Sequence, residues 1–317
     1  MLGAIWGGLL GTDQVRKQDN FFELGGSSLM AMQMIAQVEK ASGKRLNSRV
    51  VLLSSLRQLA RELSGEKTAD TESHTVREAT PFFFANGLFG THHRPPAADA
   101  RYGVLICAPI AQEYMRTHWL FRQLASQLVR EGVHVMRFDY TGCGDSVGAQ
   151  LAGGPQRWCE DAKLAGAEFR NRADLDRVVV LGARLGGYIA AASFPELDAV
   201  LWDPVESGAR YLQELKQLQS DISRGRREPF ETRMLAGFEF NDALRRDLNA
   251  VELQPALDAA RGRRIALRSE QIGEEVGWAQ AKYWQDAVLS PKVIQALKSA
   301  CLGGLRDSRE RALLRAG

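Results

Sequence analysis

Between Pro81 and Val205 the chain alternates short apolar runs with stretches of helical length. The runs are PFFFAN, GVLICAP, HVMRFDY, RVVVLGA and AVLWDPV, and the intervening stretches include 117–131 and 155–170. Such runs are rich in the β-branched and aromatic residues that suit a pleated surface, and they are bounded by Gly, Pro, Asn and Asp. They carry few polar residues, which marks strands covered on both faces, and parallel strands need a helix between them to bring the chain back. The pattern predicts an α/β domain over residues 79–317, with a largely parallel buried sheet flanked by helices. A segment of about 240 residues buries a full core without disulfides.

The residues before it have another character. Residues 1–64 read as helical, with a long loop from Gly11 to Gly26, whereas 65–78, GEKTADTESHTVRE, are polar and without apolar periodicity, as a linker is. The net charge of +3 is too small to argue for nucleic acid or a membrane surface as partner. No apolar run reaches the length of a membrane-spanning helix. The opening MLGAIWGGLLG lacks a basic flank and reads as an amphipathic helix rather than a signal peptide. Cys107, Cys143, Cys159 and Cys301 show no CxxC spacing and no neighbouring His cluster, which argues against a metal site and for reduced thiols in a cytoplasmic protein.

Within the first segment, LGGSSL is the informative box. Gly25 and Gly26 allow a sharp turn and leave space beside the next residue. Ser28 then falls at a helix start, where its hydroxyl sits near the positive end of the helix dipole, a setting that suits a phosphodiester. Leu29, Met32, Ile35 and Ala36 recur at helical spacing and are expected to anchor that helix on the core. The same position also suits a plain N-cap serine, and Ser27 is the neighbouring candidate. The stretch DNFFELGGSSLMAMQMIAQVEKASGKRL resembles the peptidyl carrier domains of nonribosomal peptide synthetases, and AIWGGLLG and LLSSLRQLAREL fit the first and last helices of that family. The resemblance covers nearly all of residues 1–64. It implies an all-α four-helix carrier domain with 4′-phosphopantetheine attached covalently to Ser28, the residue directly before Leu29, and with Gly26 beside it. It also implies a phosphopantetheinyl transferase, an adenylation domain or other synthetase domains, and a tethered acyl or aminoacyl substrate as partners. Residues 1–65 hold eight Lys/Arg against five Asp/Glu, unlike the acidic free-standing fatty-acid carriers. The chain opens where an adenylation domain would end, so a piece of a longer synthetase is expected.

Three stretches of the second segment, CAPIAQEYMRTHWLFRQLASQLVREGVHVMRFDYTGCGDSVG, VVVLGARLGG and VLWDPVESGARYLQEL, resemble the α/β-hydrolase superfamily. The nearer likeness is to hydrolase-like proteins of bacterial exopolysaccharide and exosortase systems and to thioesterases. In an active member of the superfamily a strand runs into a G-x-S-x-G elbow that presents the nucleophile. Here the elbow is Gly182-Ala183-Arg184-Leu185-Gly186, and a guanidinium, always protonated, cannot attack a thioester. The superfamily's base is a late His, yet the five His residues are 74, 92, 93, 118 and 134. Asp203, at the end of AVLWD, fits the acid position. Glu113 and Asp203 are the expected partners of Arg184 at the carboxyl end of the sheet. That arrangement either fills a disused pocket or makes a cationic site for a carboxylate, phosphate or thioester carbonyl. Cys143 is the candidate outside nucleophile, though a thiol without a base is inert. Ser146 reads as a turn residue and His118 as a structural one.

Together these features predict a carrier fused to a hydrolase-like unit with a degenerate triad, which recognises or shields the intermediate or docks a partner. The other expectation is an enzyme of non-serine mechanism, a thioesterase, cyclase or acyl transferase.

Overall fold

The computed structural model describes residues 1–11, 15–17, 19–21, 24, 26, 28–46, 51, 54–64, 79–97, 100–224, 233–283 and 286–316, the side chains of 28, 29 and 306–316 excepted. The proposed linker 65–78, Gly25, Ser27 and the side chains of Ser28 and Leu29 therefore lie outside the described residues. The chain divides into two compact units, Met1–Arg77 with Leu289–Ile294, and Glu78–Val288 with Gln295–Gly317.

In the first unit, α1 (Leu2–Leu10) buries Leu2, Trp6 and Leu10, which lie one turn apart along one face. It stops at Gly11, whose φ of 65° suits a residue without a Cβ. Helix α2 (Ser28–Ser42) buries Ala31, Met34, Ile35 and Val38. The expected face of Leu29, Met32, Ile35 and Ala36 is thus corrected. Ile35 is buried, but Met32 is 51% exposed and Ala36 is exposed, because the core lies along the stripe set by Ala31 and Met34. Helix α3 (Leu56–Ser64) opens with a reciprocal cap, in which Ser55 N–H donates to Gln58 Oε1 at 2.8 Å and Gln58 N–H to Ser55 Oγ at 3.4 Å. Val51 is helical and buried, but its neighbours 47–50 and 52–53 lie outside the described residues, and with them the remaining helix of the expected four. Trp6 and Phe21 meet edge to face at 5.2 Å in the core that these helices share.

The second unit is built on a seven-stranded sheet. Its strands are β1 (Ala79–Phe84), β2 (Leu88–His93), β3 (Tyr102–Cys107), β4 (His134–Phe138), β5 (Arg177–Ala183), β6 (Ala199–Trp202) and β9 (Arg264–Leu267), in spatial order β1-β2-β4-β3-β5-β6-β9. The small ribbon of β7 (Met234–Leu235) and β8 (Phe238–Glu239) stands apart. The pairings β1–β2 and β2–β4 are antiparallel and the rest of the large sheet is parallel. Strand β5 is buried almost throughout, as a central strand covered on both faces must be. The covering helices are α4 (Ala111–Arg130), α5 (Gly154–Ala173), α6 (Leu185–Ser193) and α7 (Gly208–Ser223), followed by α8 (Asp242–Asn249), α9 (Gln254–Asp258) and α10 (Pro291–Ala316). The expected helical segment followed by an α/β unit with a mostly parallel sheet between helices is the fold observed.

Two strands were not legible in the apolar runs. Strand β2, LFGTHH, and β9, RIAL, have apolar stretches of only two and three residues beside His and Arg, and their pairing with β1, β4 and β6 completes them. The β1–β2 turn runs through Ala85, Asn86 and Gly87, all with positive φ, as tight hairpins require. Helix α4 begins at Ala111 rather than 117, because Gln112, Glu113 and Arg116 point inward and break the apolar pattern.

Three buried imidazoles bind β2 to β4 and its surroundings. His134 Nε2 lies 3.2 Å from the Ala100 carbonyl, so it carries the proton, and His134 Nδ1 accepts from His92 Nε2 at 3.0 Å. Arg137 Nε–H donates to His93 Nε2 at 3.1 Å, which requires His93 to be neutral. Burial, with His134, Arg94 and Arg172 nearby, pushes His92 down to about 4. Burial, with Arg137, His92 and Arg122 nearby, pushes His93 down to about 3. An unfolded His titrates near 6.5. The unfolded chain therefore binds more protons below that pH, and the stability present above pH 6.5 falls as the pH drops toward 4 and 3. Unfolding free energies from urea titrations at pH 7.5 and 5.0 are expected to differ by roughly 1–2 kcal/mol for each of these two rings. His92→Gln and His93→Gln should each flatten that dependence, and an unchanged slope in both would refute the assignment.

Candidate functional site

Strands β3, β5 and β6 end side by side, and each is followed by a non-glycine residue with positive φ: Ala111 at 52°, Arg184 at 52° and Asp203 at 41°. Such conformations are disfavoured for residues with a Cβ and collect at functional sites. At Arg184 the turn between β5 and α6 is made possible by its flanking glycines. A Cβ on Gly182 would lie 2.3 Å from the Gly186 carbonyl oxygen, and one on Gly186 would lie 2.2 Å from that of Cys107. The turn is locked by Arg184 N–H donating to the Trp202 carbonyl at 3.0 Å and by Val205 N–H donating to the Arg184 carbonyl at 3.1 Å.

From this elbow the Arg184 side chain, 9% exposed, engages oxygen with all three nitrogens. Nε donates to Glu113 Oε1 at 2.8 Å, Nη2 to Glu214 Oε2 at 3.0 Å and Nη1 to the Asp203 carbonyl at 3.3 Å. Its Cζ lies over the rings of Tyr211 and Trp278, 5.6 and 5.4 Å from their centroids. Burial opposes the charge, but Glu113, by attraction and hydrogen bond, and then Tyr211 and Glu214 outweigh it and raise the guanidinium above its ordinary pKa. Glu113 is 2% exposed, and its other oxygen accepts from the Tyr211 hydroxyl at 3.1 Å.

Asp203 sits beside this arrangement with its carboxylate turned elsewhere. Oδ1 accepts from Ser269 N–H at 2.8 Å, and Oδ2 accepts from the Ser269 hydroxyl and from Trp278 Nε1 at 2.8 Å. The expected partners of Arg184 are therefore divided. Glu113 pairs through its carboxylate, Asp203 contributes its carbonyl, and the second carboxylate is Glu214. Arg116, also buried, holds the Trp278 segment in place by donating to the carbonyls of Val276 at 2.6 Å, Gly277 at 3.2 Å and Asp286 at 3.0 Å. Arg184, Asp203, Tyr211, Glu214, Ser269 and Trp278 border a cleft of about 560 Å³ lined by six carboxylates and by three guanidiniums, those of Arg184, Arg210 and Arg268. Sequence reasoning missed Glu214 and Tyr211, although they lie three residues apart on α7 and so share a helix face. Ser269 and Trp278 fall in an aperiodic stretch that offered no signal.

Cys143 does not line this cleft. It packs against the core of the second unit, and burial, with Asp139 and Asp161 nearby, pushes its thiol up to about 12, away from the reactive thiolate. Ser146 bridges loop and strand, donating to the Asp139 carbonyl at 2.6 Å and accepting from Phe89 N–H at 2.8 Å. His118 is exposed on α4, with its ring against Tyr114. Among the described residues no group of three or more His, Cys, Asp or Glu is arranged to hold a metal ion, and no helix is long and apolar enough to cross a membrane.

In the first unit Ser28 opens α2. Gly26, two residues before it, donates its N–H to the Phe21 carbonyl at 3.0 Å. A Cβ there would lie 2.4 Å from the Phe21 ring, so the glycine is required by close packing beneath the helix start. A fifteen-residue helix beginning at a serine, with that approach held by the core, fits a phosphodiester at this end of the helix.

Comparison with known proteins agrees with both units. Residues 2–63 match the family described as Phosphopantetheine attachment site, and residues 110–203 match that described as Serine aminopeptidase, S33. The first span is a phosphopantetheine attachment domain. Chondramide synthase of Chondromyces crocatus is 31% identical over 96 residues, 30% of this chain and 2% of the synthase. A linear gramicidin synthase of Brevibacillus parabrevis is 26% identical over 202 residues, 58% of this chain and 4% of that protein. The chain thus spans a few hundredths of the length of these relatives. Among solved structures, Est1E from Butyrivibrio proteoclasticus with ferulic acid bound is 13% identical, covers 69% of this chain and 96% of its own, and superposes with a TM-score of 0.46.

Proposed function

We propose that residues 1–64 carry an acyl or aminoacyl group in nonribosomal-peptide-type biosynthesis, and that residues 79–317, joined by the linker 65–78, act on or around that group without serine-hydrolase chemistry. When bound at Ser28, phosphopantetheine supplies the thiol to which the group is joined as a thioester. The likeness of parts of the chain to the chondramide and linear gramicidin synthases supports this setting. In this reading the partners are a phosphopantetheinyl transferase and neighbouring synthetase domains. The compartment is the cytoplasm, which the four free cysteines suit.

One observation carries the second half: the nucleophile position holds Arg184, whose guanidinium is committed to Glu113 and Glu214. Ser-His-Asp acyl transfer needs a hydroxyl and a base that takes its proton. The chain has no His after His134, and the Asp203 carboxylate is engaged by Ser269 and Trp278. Such a unit recognises or shields the tethered chain, or docks a partner. The competing enzyme of cysteine mechanism is disfavoured by the raised pKa of Cys143.

A fluorophosphonate probe is therefore expected to leave the chain unlabelled. A thioester loaded on the full chain should decay no faster than one on the isolated residues 1–64. Arg184→Ser, which restores the elbow spelling, should gain no hydrolysis, because no late His is present to take the proton. Fast release that disappears in Cys143→Ala would replace this reading with a cysteine mechanism.

A further inference from the structure

The two carboxylates on Arg184 are not equivalent. Glu113 is 2% exposed and is held on its far oxygen by Tyr211. The Glu214 side chain is 34% exposed, lies at the cleft, and has a second cation within reach: Arg210 Nε stands 3.6 Å from Glu214 Oε1, one helical turn away, with its own side chain 76% exposed. Arg184 Nη2 thus points to the cleft through a partner that has somewhere else to go. If Glu214 turns wholly to Arg210, two neutral pairs result, Arg184 with Glu113 inside and Arg210 with Glu214 outside. The Nη2 donor is then bare at the cleft wall.

We propose that Arg184 Nη2 is a docking donor for a neutral carbonyl oxygen, that of a thioester or amide, and that Glu214 is its built-in cap, released to Arg210 when the carbonyl enters. The inference rests on the recognition reading of this unit and adds to it the ligand class and the gate. Charge selects the class. The inner pair is already neutral, so a carbonyl oxygen completes it without adding charge. A carboxylate would bring a further negative charge into a cleft lined by six carboxylates and three guanidiniums. A bare buried donor without a partner costs more than the capped one, which explains why a cap is kept in the free protein.

The test is calorimetric or NMR titration of the full, unloaded chain with acetonyl-pantetheine, a ketone that mimics an acetyl thioester and resists hydrolysis. S-ethyl-pantetheine, without the carbonyl, and the S-carboxymethyl derivative, with a carboxylate, serve as comparisons. Glu214→Ala is expected to tighten binding of the ketone about tenfold, the worth of one charge-assisted hydrogen bond freed from competition, and to leave the S-ethyl probe unchanged. Arg210→Ala should weaken ketone binding several-fold, and that loss should vanish in the Glu214→Ala background. Ketone binding that is unchanged or weakened in Glu214→Ala, or a preference for the carboxylate, overturns the gate while leaving recognition standing. Failure of the wild type and of Glu214→Ala to bind any of the three probes overturns both. Glu214 and Arg210 lie on the outer side of α7, and thermal melts of the variants establish that they remain folded.

Discussion

Incubation of the wild-type chain with a phosphopantetheinyl transferase and coenzyme A is expected to add one phosphopantetheinyl group, and Ser28→Ala is expected to add none. The effect is all-or-none because the bond is made by the hydroxyl oxygen that the substitution removes. Ser28 opens α2, where unsatisfied N–H groups and the positive end of the dipole favour a phosphodiester. The chain reaches that point along a path set by Gly26 packed under the Phe21 ring. Ser27→Ala should load like the wild type. Intact-mass spectrometry reads all three proteins, and far-ultraviolet circular dichroism checks that the helices survive. Labelling that persists in Ser28→Ala and vanishes in Ser27→Ala would move the attachment point by one residue.

Arg184→Ala is expected to lower the stability of the second unit by about 3–5 kcal/mol, the usual consequence of stranding one member of a buried ion pair. Glu113 would keep the Tyr211 hydroxyl as the hydrogen-bond partner of its buried carboxylate, with the Arg116 charge nearby but committed to backbone carbonyls. Glu214, partly exposed and close to Arg210, would lose little. For a domain of this size the loss corresponds to a fall in Tm of roughly 6–20 °C. Glu113→Gln should also destabilise, since burial then opposes a guanidinium with Glu214 as its remaining carboxylate. The double substitution Arg184→Ala with Glu113→Gln removes both charges and should lose clearly less than the sum of the two single changes. Thermal and urea denaturation of the four proteins completes the cycle. Additive losses would mean that the two groups do not act as a pair.

The elements that the sequence announced were those whose chemistry is local. The apolar runs of β3, β4, β5 and β6 read directly as buried strands, since each consists of residues that cannot remain in water. The LGGSSL box and the GARLG elbow were equally plain, because tight turns leave glycine where a Cβ has no room. Elements stabilised by their neighbours were hidden. Strands β2 and β9 offer only short apolar stretches interrupted or preceded by polar residues and are completed by pairing, the start of α4 is masked by inward-facing Gln112, Glu113 and Arg116, and the buried stripe of α2 was mistaken because Met32 and Ala36 are as apolar as the residues that face the core. At the elbow, the sequence alone put Arg184 at the centre of Gly182-Ala183-Arg184-Leu185-Gly186 and all five histidines at or before His134. Tertiary structure decided who answers the charge: Glu113 from α4, Glu214 from α7 and the carbonyl rather than the carboxylate of Asp203. Those partners stand 71, 30 and 19 residues from Arg184 along the chain. Coulombic and hydrogen-bonding partners are chosen by distance in space, and spacing along a sequence carries that information only within one helix or one turn.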